Sequence, residues 1–330
     1  MKYAAAVDIG RVKVQVALFD ESYNIVDHQS FDSCIDDPNK TLDEIASRVL
    51  KFTKTICGIG ISCPGILDAM KGTLLYTPNL GDKWCGLHVT EALSKRTGLP
   101  VYLENNANLA GLAEAVIGKG KDCKVIQFLR LSTNVGAGLI IDKKIFKGAH
   151  GFANEFSPIR ITSSSGKESD KIGNHISETG ILDKAKKAGL TAETVKEVDD
   201  LAKAGNEKAV LIMKEAKEHL ANLINAIIAF ADPDMVVLGG SVPFEIEGFT
   251  EEIEEMVKSQ IPEVVCPMVR ICRSGLNENS NLIGACNLAF SKEPVIQHNQ
   301  QFKEDLKRAK QIVQKLKKIA QKNQESHSTS

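Results

Sequence analysis

Residues 3–19, YAAAVDIGRVKVQVALF, decide the fold. An apolar run reaches Asp8 and breaks at Gly10. Beyond it Val12, Val14, Val16 and Leu18 alternate with polar or small residues, the period-two signature of a strand. The pattern predicts a β-hairpin with branched residues on one face and basic or small residues on the other, suited to a sheet covered on one side. Its turn sets the Asp8 carboxylate beside flexible backbone and Lys13, where a nucleotide phosphate or hydrated magnesium could be held. An ordinary hairpin would read the same way.

Outward from this hairpin, Leu42, Ile45, Ala46, Val49 and Phe52 recur at helical spacing before the apolar strand CGIGISC, which ends at Pro64-Gly65. The strand VYLEN (101–105) runs into a helix expected to begin near Asn108. A second half opens at Val125, where IQFLRLS and VGAGLII form two apolar segments around a turn, similar in kind to the first hairpin. Residues 162–174 are polar and predict a surface loop. From 177 to 231 the chain reads as mostly helical, with Leu211, Met213, Leu220, Leu223, Ile224, Ile227 and Ile228 on the apolar face. MVVLGG (235–240) reads as a buried strand ending in two glycines, and a last apolar helix is expected over about 281–290. Past Pro294, Phe302, Leu306, Ala309, Val313, Leu316 and Ala320 form a heptad stripe, predicting an amphipathic helix over 295–322 and a disordered tail over 323–330.

At 330 residues the chain exceeds the size at which one core stops growing, so two domains are expected, 1–117 and 118–280, the first completed by the helix near 281–293. With 43% apolar and 25% charged residues the composition is that of a globular protein, not a disordered one. No signal-peptide core follows the N-terminus and no apolar run reaches the length of a membrane span, so a cytoplasmic protein is expected. The eight cysteines lie too far apart for a zinc knuckle. The net charge of −1 hides a basic segment, 303–322, in which eight Lys or Arg oppose Glu304 and Asp305, giving +6 and leaving −7 elsewhere. The body therefore offers no nucleic-acid footprint, and the basic helix is a candidate for association with a second copy or an acidic partner.

Two further glycine turns follow strands, Ser132-Thr133-Asn134-Val135-Gly136-Ala137-Gly138 and Gly239-Gly240. Three such turns in two similar halves suggest a cleft that admits phosphates. Between them lie Asn79, Asn105, Asn106, Asn108, Asn154 and Glu155, amides and carboxylates suited to a polyhydroxylated ligand. The plainer alternative makes Asn108 a helix cap and Asn105 a partner of loop backbone.

The phrases DIGRVKVQVALFD, GIGISCPGILD, TPNLGDKW, ENNANLAGLAE, STNVGAGLIIDKKIFKGAHGFANE, ADPDMVVLGGSV and NLIGAC follow one another between residue 5 and about 290. In that order they resemble the ROK family of sugar kinases. The resemblance implies an α/β, two-domain actin-like ATPase (ribonuclease H-like) fold, transfer of phosphate from ATP with Mg2+ to a hexose or N-acetylhexosamine, and a dimer. It places Asp8, Gly10, Arg11 and Lys13 in the first phosphate turn and Thr133 and Gly136 in the second. Gly239 and Gly240 fall at the adenosine, and Asn79, Asn105, Glu155 and Glu178 at the sugar. Other members are repressors with an N-terminal DNA-binding domain; with the first hairpin opening at residue 3, no such domain is expected here.

The sequence also departs from that family. Asn106 stands where ROK kinases have their catalytic aspartate, and an amide cannot accept the sugar hydroxyl's proton. Arg11-Val12 replaces Gly-Thr, and Ser132 and Asn134 replace glycines. The Gly-His pair and three-cysteine cluster that hold a structural zinc are replaced by Ser157-Pro158 and the cysteine-free stretch 159–184, so no zinc is expected; His175 and Glu178 remain nearby. These departures predict a sugar-binding pseudokinase with lost or very weak transfer. The alternative is an active sugar kinase that uses rearranged groups.

Overall fold

A computed structural model describes residues 2–162, 169–276 and 279–291. The described residues belong to one compact unit, 1–292. The heptad helix and tail expected over 295–330 lie outside the described residues.

The first sheet begins with the antiparallel hairpin β1 (Tyr3–Ile9) and β2 (Lys13–Asp20), extended by β3 (Ile25–Asp32). Helix α1 (Pro38–Leu50) starts where Asp37 accepts the Lys40 amide and Pro38 occupies the first turn. It buries Leu42, Ile45, Ala46 and Val49, as their spacing predicts. Then come β4 (Ile56–Cys63), a small hairpin β5 (Ile66–Asp68) and β6 (Thr73–Tyr76), α2 (Val89–Thr97), β7 (Val101–Asn105) and α3 (Asn106–Val116). The second half repeats the plan with β8 (Val125–Leu131), β9 (Val135–Ile141) and β10 (Lys144–Ile145), then the short pair β11 (Arg160–Thr162) and β12 (Ser169–Lys171). Helices α4 (Gly173–Ile176), α5 (Glu178–Lys187), α6 (Val195–Lys203) and α7 (Glu207–Ala231) precede β13 (Met235–Gly239), α8 (Ser241–Glu245), α9 (Phe249–Ser259), β14 (Ile271–Arg273) and α10 (Ser280–Phe290).

The two sheets have one topology. Strand order is β3-β2-β1-β4-β7 in the first and β10-β9-β8-β13-β14 in the second. In each, the first three strands of the half pair antiparallel and the last two join parallel. Alternation along β1 divides the core: Ala5, Val7 and Ile9 pack toward α1 and α2, while Ala4 and Ala6 join the cluster of α3 and α10. On β13, Val237 faces that same α3–α10 cluster, whereas Val236 and Leu238 face the one built on α7. The helices α3 and α10 thus share one apolar cluster with strands of both sheets.

Four expectations change. The helix after VYLEN begins at Asn106 because Asn105, not Asn108, is the cap, its Oδ1 accepting from Ala107 N at 2.8 Å and Asn108 N at 3.4 Å. Strand β3 was not expected, since most of it is exposed. Leu211 is 66% exposed, and its neighbour Ile212 takes the place on the buried face of α7. The stretch 162–174 is not all surface loop, for it contains β12 and the buried Ile172 and Gly173.

Candidate functional site

The carboxyl ends of three parallel strands set out a row across the first sheet. Asp8 pairs in register with Ser62 on β4, and Ser62 with Glu104 on β7. Ser62 Oγ donates to Asp8 Oδ1 at 2.6 Å, and Asn281 Nδ2, from α10, donates to Asp8 Oδ2 at 3.1 Å. Asp8 is thereby oriented from two elements at the mouth of the first turn. Gly10 N donates to Lys13 O at 3.0 Å, closing that turn, while Arg11, Val12 and Lys13 are exposed at its tip.

Asn106 is the first residue of α3, at the positive end of the helix. A β-carbon at Gly136 would lie 2.8 Å from Ala107 Cβ, so only glycine lets β9 approach the start of α3 this closely. This contact brings the second turn to Asn106. Asn105 is occupied in capping α3 and in donating Nδ2 to Gly65 O at 2.9 Å. Glu104, 3% exposed, accepts from Asn105 N at 2.9 Å and Asn108 Nδ2 at 3.1 Å. Its other oxygen lies 2.5 Å from Lys147 Nζ, an ion pair without an aligned hydrogen bond.

The second and third turns meet. Gly240, at φ 92°, passes so close to Leu131 that a β-carbon would lie 2.3 Å from its carbonyl oxygen. Ser241 Oγ donates to Glu178 Oε2 at 2.5 Å and lies 3.4 Å from Ser132 Oγ, and Glu178 N donates to Ser132 O at 2.9 Å. Glu178, expected at the sugar, therefore sits against the second and third glycine turns. Thr133 is exposed at the tip of the second turn. Its neighbour Asn134 reaches across to Asn79, Nδ2 to Oδ1 at 3.4 Å. Glu155 is exposed, yet neighbouring atoms desolvate it enough to raise its carboxyl above the ordinary value of 4.5. Beside it Asn154 holds φ 70° and buries an unpaired Nδ2.

A polar cavity of about 180 Å³ opens beside the second turn, lined by Asn134, Asp170, Asn174, Lys184 and Lys187 among others. None of Asn79, Asn105, Asn106 and Glu155 lines it. Asn105 and Asn106 lie instead at the start of α3, and Asn79 is tied to Asn134 of the second turn, which Gly136 holds against Ala107.

The expectation of no metal site is corrected. His175, Glu215 and His219 present ligand atoms all within 4.8 Å of one another. The cysteine-free stretch 159–184 lacks the cysteine ligands, but α4 packs its histidine onto α7, which supplies the other two groups 40 and 44 residues later. Spacing within a segment cannot reveal such a site. All eight cysteines are free thiols.

The sequence profile of the ROK family matches residues 4–292. The chain is 31% identical over 267 residues to a xylose repressor from Caldicellulosiruptor bescii, spanning 76% of this chain and 66% of that protein. It is 26% identical over 320 residues to a glucokinase from Streptomyces coelicolor, spanning 90% and 100%. The fold matches the ROK hexokinase from Thermus thermophilus with a TM-score of 0.75 at 22% identity, covering 87% of this chain and 98% of that one.

Proposed function

Because the chain belongs to the ROK family, we propose that it is a kinase-fold protein that binds a hexose or N-acetylhexosamine and transfers phosphate to it very slowly or not at all. We read the paired sheets as the two domains of an actin-like, ribonuclease H-like fold, 1–117 completed by α10 and 118–280, with the ligand between them. One observation carries the functional reading: Asn106 opens α3 beside the second turn, and three of the carboxylates that could take over an aspartate's work are engaged, Glu155 being the exception. Glu104 is paired with Lys147, Asp68 with Lys71 at 2.6 Å, and Glu178 with Ser241. A neutral amide can orient a hydroxyl but cannot receive its proton, which puts roughly 100- to 10,000-fold in rate at stake.

The nucleotide side supports the same reading. Asp8, Gly10, Lys13, Thr133 and Gly136 would hold magnesium and the phosphates, with Gly239 and Gly240 at the adenosine. Magnesium-ATP would supply the phosphoryl group and neutralise its charge in transfer. Against this, the Glu178 carboxylate lies where the second and third turns meet and opposes an anion, while Arg11 replaces a small residue in the first turn. On the sugar side, Asn79, whose Oδ1 accepts only a long bond from Asn134, and the exposed Glu155 would meet the hydroxyls, and the kinship with a protein named as a xylose repressor supports sugar binding without turnover.

The alternative, an active glucokinase-like or N-acetylhexosamine kinase-like enzyme with Glu155 as the base, is favoured by the match along the full length of a glucokinase. A homodimer is part of the proposal. No helix among the described residues is long and apolar enough to cross a membrane. Isothermal titration with glucose, N-acetylglucosamine, N-acetylmannosamine and fructose tests the binding half. Saturable binding of at least one sugar, weakened by Asn79→Ala and by Glu155→Ala, is expected; no binding of any of them by the folded protein at millimolar sugar contradicts it.

A further inference from the structure

Away from the row of Asp8, Ser62 and Glu104, the buried His175 closes a polar cluster that the proposed sugar chemistry does not use. Its Nε2 lies 3.2 Å from Asp170 Oδ2 and its Nδ1 lies 3.3 Å from Glu215 Oε1. On α7, one turn beyond Glu215, His219 Nε2 lies 3.7 Å from the same oxygen and is buried without a hydrogen-bond partner among the described residues. The two imidazoles meet edge to face, with ring centroids 4.7 Å apart. The Lys184 ammonium contacts His175 Nδ1 and lies 2.6 Å from Glu215 Oε2.

We propose that His175, Glu215 and His219 bind a zinc-class divalent cation, for which the Lys184 ammonium is the resident competitor. Nitrogen and carboxylate donors about 2.0–2.2 Å from a tetrahedral zinc lie about 3.3–3.6 Å from one another. The separations of 3.3 and 3.7 Å from Glu215 Oε1 lie close to that spacing, and all three ligand atoms fall within 4.8 Å of one another, a span that small side-chain shifts close around an ion. The tautomer fits as well. An ammonium donates to Nδ1, so that nitrogen carries a lone pair and Nε2 carries the proton, 3.2 Å from Asp170 Oδ2 without an aligned hydrogen bond. A carboxylate behind a ligating imidazole is the usual outer partner of zinc histidines. His219 Nε2, which has no hydrogen-bond partner among the described residues, is the second nitrogen ligand. The polar cavity lined by Asp170 and Lys184 gives the ion a path inward. This ligand set contains no cysteine. The cation ties α7 to the α4–α5 segment, which sets Glu178 against Ser132 and Ser241.

The test uses the full chain, stripped with a chelator and titrated with Zn2+ alone and Co2+ alone. One zinc per chain is expected. The cobalt form is expected to show visible bands of four-coordinate nitrogen and oxygen ligation without thiolate-to-cobalt charge transfer in the near ultraviolet. His219→Ala and Glu215→Gln, folded by circular dichroism, should each weaken zinc binding beyond the roughly 10- to 100-fold that loss of an outer partner costs. Lys184→Met removes the competitor without removing a ligand and should bind zinc at least as tightly as the parent. No zinc bound at micromolar metal, unchanged affinity in a folded His219→Ala protein, weaker binding in Lys184→Met, or a thiolate band in the cobalt spectrum would each overturn the site.

Discussion

Lys147 Nζ lies 2.5 Å from Glu104 Oε2, so the carboxylate two residues before Asn106 is held by a cation from the loop that follows β10. The pair is asymmetric: the Glu104 side chain is 4% exposed and that of Lys147 is 37%. Removing the lysine leaves a buried charge with water reaching it from one side. Lys147→Ala is expected to cost roughly 1–3 kcal/mol, between the limits for exposed and buried pairs. Urea unfolding of the two proteins measures it, and an unchanged midpoint would show that the pair adds nothing.

The proposed role of Glu155 at the sugar predicts a pH dependence of known sign. Its folded carboxyl lies above 4.5, raised by desolvation. A sugar whose hydroxyls donate to the carboxylate binds the ionised form, so affinity is constant well above that raised value and falls as pH drops through it, by up to about tenfold per unit. Titrations between pH 7.5 and 4.5 should show this loss in the parent and a flat profile in Glu155→Gln. A sloping profile in the variant would move the titrating group elsewhere.

Glu114 on α3 is fully buried and collects four donors. Oε1 accepts from Ser274 Oγ at 2.5 Å, Gly275 N at 2.9 Å and Leu276 N at 3.2 Å, and Oε2 accepts from Lys119 N at 2.8 Å. It fastens the loop after β14 to the helix that begins at Asn106. Glu114→Ala strands three backbone amides and should cost about 3 kcal/mol or more, with Glu114→Gln between it and the parent. Denaturant midpoints give the order.

The strands β1, β8 and β13 were legible because each is an apolar run that stops at glycine or a polar turn. The edge strand β3 was not, because IVDHQSFD is mostly exposed and is held by register with β2, Val14 opposite Phe31 and Val16 opposite Gln29. The start of α3 was misplaced by three asparagines in a row of four residues, any of which can cap; the amides of Ala107 and Asn108 donating to Asn105 Oδ1 identify Asn105, whose Nδ2 is anchored on Gly65 O. Asn106 and Asn79 were visible as departures or matches in sequence phrases. Glu178 was seen as well, but its partner Ser241 lies 63 residues on, and the histidine cluster depends on the docking of α4 on α7. Contacts of that span leave no local pattern.

The central claim, that Asn106 leaves a sugar-binding fold without its base, is tested most directly by product formation over a sugar panel at saturating magnesium-ATP, against a no-enzyme control. The unmodified protein is expected to stay near background, and Asn106→Asp to raise turnover by at least about tenfold if the turns around Arg11 and Asn134 admit the nucleotide. An unmodified protein that turns over at about one per second or faster, within the ordinary enzymatic range, would contradict the account.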